Sequence, residues 1–247
     1  YRLKQLKPQG IVMGTSSSQS GVDPDHPGWN KDVYPRYNLA LPGANMYETL
    51  RYFQHSNAVN PPRQILIGLD FIVFNIFFPL SDDFNESHMV VSREGKAQDH
   101  SLYNLTLTLL SLSAIKASQE KLFYRGKGTH FLNGREIPHE KNLGSRNNRS
   151  AMIGSATKYI SRLLMPPPSH RFCLYDEMGN GSNFQYLRKV LETSKRTGSD
   201  IRLFIQPTHA YLLEVLRLLG MMKDYEKWKH ELIALVEDVN ERYPESR

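Results

Sequence analysis

The run at 64–71, Gln-Ile-Leu-Ile-Gly-Leu-Asp-Phe, constrains the fold more than any other part of the chain. It is apolar at nearly every position rather than at alternate ones. A strand of that kind has both faces covered, the condition of a parallel sheet in an α/β fold. A second apolar run, 10–14, ends in Gly14-Thr15-Ser16 and then dissolves into hydroxyl residues. It reads as a buried strand that stops at a glycine and presents a serine at its carboxyl end. Further strands are expected at 37–41, 171–175 and 201–205.

Helix signals alternate with these strands. Asn45, with Glu48 three residues on, forms a capping box ahead of apolar positions Met46, Leu50 and Phe53. Ser182 with Gln185 repeats the signature, for a helix running to Thr197. Apolar spacing predicts other helices at 102–122, at 151–164 before Pro166-Pro167-Pro168, from His209 to a pause at Gly220, and at 224–242. The alternation implies one domain over 1–247: a three-layer α/β/α fold around a mostly parallel, five-stranded sheet.

A chain of 247 residues buries a core without a metal or disulfide staple. Its single cysteine, Cys173, excludes an internal disulfide and reads as a buried strand residue. The net charge of +6 permits an anionic partner without requiring one. Residues 1–9 form a basic lead-in. In the polar excursion 124–149, Arg125, Lys127, Arg135, Lys141, Arg146 and Arg149 oppose only Glu136 and Glu140. That stretch is either a solvated basic loop or a seat for an anionic glycan or lipid head group. No apolar run is long enough to span a membrane, since 66–80 is broken by Asp70, Asn75 and Pro79. The chain begins at Tyr1, so a removed signal or anchor is expected upstream.

His26, His130 and His139 have no ligand-type spacing, so no metal is expected. Gly14 has no glycine companion before Gly21, which excludes a phosphate-cradling loop, and no cofactor is expected. Aromatic residues interleave poorly with the basic stretch, so nucleic acid is not an expected partner.

Ligands of parallel sheets sit beyond the carboxyl ends of the strands, and Ser16, Gly43, Asp70 and His209 each follow an expected strand. Ser16 is either a nucleophile or a hydroxyl cap for the next helix, with Ser17 in its place if the strand ends one residue later. His209 is either a general base or an ordinary first-turn residue. Gly43 either aims its N–H at an oxyanion or simply permits a turn. Asn45 either lends its amide to the same oxyanion or caps the helix. Asp70 is either the acid behind His209 or the holder of a backbone turn.

In order and spacing, Gly14-Thr15-Ser16, Gly43 in Leu41-Pro42-Gly43-Ala44-Asn45, and His209 after the last strand resemble the SGNH, or GDSL-like, hydrolase superfamily. Gly21-Val22-Asp23 adds similarity to its membrane-anchored branch, which includes the D-alanyl-lipoteichoic acid transfer protein and the alginate O-acetylation proteins. The resemblance spans roughly 10–240 and implies a flavodoxin-like sheet. It also implies a serine esterase or O-acyltransferase acting on a cell-surface glycan, outside the cytoplasm, and served by a membrane-bound acyl donor protein. Ser16 would be the nucleophile, His209 the base, and the N–H groups of Ser16 and Gly43 oxyanion donors; Asn45, from its own position beside Gly43, is the further candidate donor. Two positions depart from the pattern: Gln206 stands where the family has its acid, and Asp70 where it has an asparagine. A Ser-His dyad, an atypical triad using Asp70, and a non-catalytic scaffold of a polysaccharide system all remain compatible with that. A further expectation treats the last helix, with Trp228, as a docking element for a membrane partner.

Overall fold

The computed structural model describes residues 2–81, 84–97, 130–137, positions 150, 153, 154, 156, 157 and 160, and residues 172–179 and 181–244. Four strands form one all-parallel sheet: β1 (Gly10–Met13), β2 (Arg36–Asn38), β3 (Gln64–Leu69) and β4 (Asp200–Ile205), in the order β2-β1-β3-β4. The registers pair Ile11 with Tyr37 and Ile65, and Ile65 with Ile201. Because the direction of connection reverses between β1 and β3, the crevice beyond their carboxyl ends is the topological switch point of the sheet.

The helices are α1 (Arg2–Leu6), α2 (Ser16–Gly21), α3 (Met46–Val59), α4 (Phe184–Thr197), α5 (Ala210–Leu218) and α6 (Met222–Arg242). The period of two along the strands separates their side chains. Ile11, Met13, Ile65, Ile67 and Leu69 enter the main core with Phe53 of α3, Leu187 and Val190 of α4, and Trp228 and Leu235 of α6. The opposite face carries Gly14 and Gly68, and the buried Ser18 of α2 sits against both. The capping box of α3 forms as the sequence predicts: Asn45 Oδ1 accepts from Glu48 N–H, and Glu48 Oε2 accepts from Asn45 N–H.

Three expectations are corrected. Residues 172–175 are not a strand of the sheet; Tyr175 makes only an isolated antiparallel bridge with Ser182. Phe172 stacks on Phe71 at 4.3 Å, and Cys173 N–H donates to Asn75 Oδ1 at 3.0 Å. The segment is apolar because it straps the core, not because it pairs in the sheet. Ser182 does not cap α4. Asn183 occupies the N-cap and gives its amide to the carbonyls of Val73 and Asn75. Trp228 is fully buried among Phe71, Phe74 and Tyr225, so it is core rather than a docking side chain.

β2 is three residues long rather than five, yet Leu39 and Leu41 go on donating to Val12 and Gly14 of the β1 side. The expected helix at 102–122, most of 124–149 and most of 151–164 lie outside the described residues.

Candidate active site

The carboxyl edge of the sheet begins at Gly14. Its φ of +134° is closed to side-chain-bearing residues, and a Cβ there would lie 2.7 Å from the carbonyl oxygen of Gly68. This close approach turns the chain directly from β1 into α2. Thr15 follows as the N-cap without capping through its side chain. Its hydroxyl instead donates across the sheet to Asp70 Oδ2 at the end of β3. Gln206, next after β4 and 3 % exposed, donates from Nε2 to the same oxygen at 2.9 Å and to Thr15 Oγ1 at 3.3 Å. Thr15, Asp70 and Gln206 thus tie the ends of β1, β3 and β4 into one hydrogen-bonded cluster.

Burial pushes the Asp70 carboxyl above the ordinary carboxylate range, and the Thr15 hydrogen bond offsets part of that rise. Both protein donors converge on Oδ2, leaving Oδ1 without a hydrogen-bond partner among the described residues.

Ser16, the first residue of α2, is exposed, as is Ser17. Ser18 is the opposite case: fully buried, its Oγ has no hydrogen-bond partner among the described residues. Ser16 departs one residue after Thr15, and His209 lies three residues after Gln206. The cluster therefore sends both chains out from neighbouring points of one edge. Gly43 is exposed, adopts φ +70° and has open space on its Cα side. Its turn is tied to the same edge by Leu41 N–H donating to the Gly14 carbonyl.

Two expected pairings are absent. Asp70 makes no hydrogen bond to His209. Nδ1 of His209 instead accepts the N–H of Tyr211 at 3.1 Å, so the ring is the N-cap of α5. A neutral imidazole that accepts at Nδ1 carries its proton on Nε2, the reverse of a triad histidine. No hydrogen bond joins His209 to Ser16 among the described residues. Asn45 donates its amide to the carbonyls of Phe78 and Pro79, each at 3.3 Å, so its side chain is spent on structure rather than on an oxyanion.

In the sequence Gln206 stands out only as a departure at the acid position, and Thr15 only as part of the Gly14-Thr15-Ser16 block; their joint hold on Asp70 is not visible there. The signal was the glutamine itself, an uncharged partner at the position where a carboxylate was expected. No protein-family model matches this chain, nor does any curated protein or solved structure at a significant level.

Proposed function

We propose that the carboxyl edge of the sheet is an acyl-ester site. In this reading the protein is a serine-dependent esterase or O-acyltransferase of the SGNH type, with its parallel sheet in three layers, acting outside the cytoplasm on a cell-surface glycan. The observation that carries the reading is the Thr15–Asp70–Gln206 cluster. It gathers three parallel strand ends at one edge, with the exposed Ser16 one residue after Thr15 and His209 three residues after Gln206.

The chemistry would run in two halves. Ser16 Oγ attacks the ester carbonyl and its proton passes to the His209 ring, while the N–H groups of Ser16 and Gly43 face the oxyanion. The alkoxide leaves with the proton from the imidazolium, and the acyl group stays on Ser16. Water or a sugar hydroxyl then attacks the acyl-serine, again giving its proton to the ring, which restores Ser16. For this the His209 ring must release Tyr211 N–H, at the roughly 1 kcal/mol that one helix cap is worth. With Gln206 at the acid position, turnover should lie about four orders of magnitude below that of a carboxylate-backed triad.

A fluorophosphonate probe tests the reading. It should label the wild type at Ser16 and fail on Ser16→Ala. His209→Asn keeps an acceptor for Tyr211 N–H but has no imidazole. It should melt like the wild type and lose labelling. A wild type that stays unlabelled would remove the nucleophile.

One observation favours a second reading, a non-catalytic binding component of a cell-surface polysaccharide system. The lone pair of His209 Nδ1 is already engaged by Tyr211 N–H, and no carboxylate among the described residues pairs with the ring. Retention of a cell-surface polysaccharide by a protein that the probe never labels would select it.

A further inference from the structure

At the amino end of the strands, a cleft of about 590 Å³ opens between α1, the Tyr34-Pro35-Arg36 entry into β2, and a turn at 131–135. The turn is held against β2. Asn38 N–H donates to the Asn133 carbonyl at 2.7 Å, and Gly134, at φ +84°, packs on the Tyr37 ring. Arg135 pairs with Asp23 at 2.8 Å and Asn133 with Asp25 at 2.6 Å, so the acidic residues of the cleft are already engaged.

Arg2, Arg36 and Arg135 against Asp23 and Asp25 leave the cleft net positive, and Arg2 and Arg36 form no ion pair among the described residues. Among the described residues, Arg2 reaches only the Leu132 carbonyl, at 3.4 Å. Arg36 donates to the carbonyls of Pro24 and Asn30 and lies over the Trp29 ring, while its buried Nε has no hydrogen-bond partner among the described residues. Arg36 is half-buried, so its unpartnered Nε carries a desolvation cost that an anion in the cleft would relieve, while the exposed Arg2 adds positive charge at the mouth.

The rim adds a second feature. Tyr34 is 70 % exposed, Phe131 48 % and Leu132 82 %. Large apolar side chains scattered singly are ordinary, but three around one cationic cleft form a patch. A soluble anion would account for the arginines and leave the rim unexplained. Basic side chains set among aromatic and aliphatic ones match a membrane interface, where phosphates lie just outside the acyl boundary.

We propose that this amino-edge cleft docks on a membrane surface. An anionic phospholipid head group would sit between Arg2 and Arg36, with Tyr34, Phe131 and Leu132 set into the interface. Docking is peripheral, and it is separate from the serine chemistry at the opposite end of the strands.

Co-sedimentation tests it. The full chain is mixed with phosphatidylcholine vesicles, with or without phosphatidylglycerol, at low and raised salt. Binding is expected only with phosphatidylglycerol and should weaken as salt rises. Arg2→Gln should lower partitioning about five-fold, the roughly 1 kcal/mol that a basic side chain gains at an anionic surface. Leu132→Ser, at an exposed position that leaves melting unchanged, should weaken binding further at the same lipid composition. Equal binding to both vesicles, no binding to either, or variants that bind like the wild type would overturn the proposal. So would capture of free glycerol phosphate without vesicle binding, which would make the cleft a soluble-anion site. The readout needs no ester, so a failed labelling at Ser16 and a failed docking are separate results.

Discussion

Asp70 ends β3 with one oxygen taken by Thr15 and Gln206, in a setting that raises its affinity for a proton. A carboxyl that holds its proton more tightly folded than unfolded adds stability below its unfolded pKa. That contribution is lost as pH rises through the folded value. Asp70→Asn can keep both donors on its carbonyl oxygen and has no charge to bury. The variant should therefore melt above the wild type at mildly alkaline pH, with the gap closing as pH falls through the carboxylate range. Thermal melts across that range check this, and a gap independent of pH would show that folding does not raise the proton affinity of Asp70. Gln206 makes the same point from the other side. A carboxylate at 206 would face Asp70 across one hydrogen bond, so the uncharged amide is what lets the two strand ends close.

Between β1 and β3 the fit of α2 to the sheet rests on two glycines and a buried serine. A methyl group at Gly68 would press into Ser18 Oγ and lie 2.9 Å from Gln206 Nε2. Gly68→Ala should destabilise the fold by about 3 kcal/mol, at the upper end of the cost of overpacking. It should also lift α2 and reduce labelling of Ser16. Full reactivity with lowered stability would separate the position of Ser16 from this packing. On α3, Asn45→Ala removes the cap and two donations to the Phe78 and Pro79 carbonyls, for a loss of about 2 kcal/mol read by thermal melting.

These elements were legible where one physical signal dominated. The apolar runs of β1 and β3 declared a doubly covered sheet, and the Asn45–Glu48 box marked the start of α3. Residues 172–175 misled because apolar content alone does not distinguish a strand from a strap lying on Phe71. At the site, the positions of Ser16, Gly43, Asp70 and His209 after successive strands could be read from the sequence, but not their order along the edge, which follows β2-β1-β3-β4. The partner of Asp70 could not, because Thr15 and Gln206 meet it through pairing in the sheet rather than through proximity in the chain.

At the scale of the whole molecule, the two tryptophans report on opposite faces of the same strands. Trp228 is buried with α6 in the main core, while Trp29 covers Gly10, where a Cβ would lie 3.2 Å from its ring. If the sheet unfolds as a unit, denaturant curves of Trp29→Phe and Trp228→Phe, each followed by the remaining indole, should coincide. Separated midpoints would mean that one covering layer peels off first. The strands also fix a span. β3 has six residues, about 20 Å at the usual rise, between its amino and carboxyl ends. If Arg2 and Arg36 rest on lipid as proposed, the sheet would act as a standoff. It would turn the edge that carries Ser16 away from the bilayer, so that an acyl acceptor would have to reach it from the solvent side.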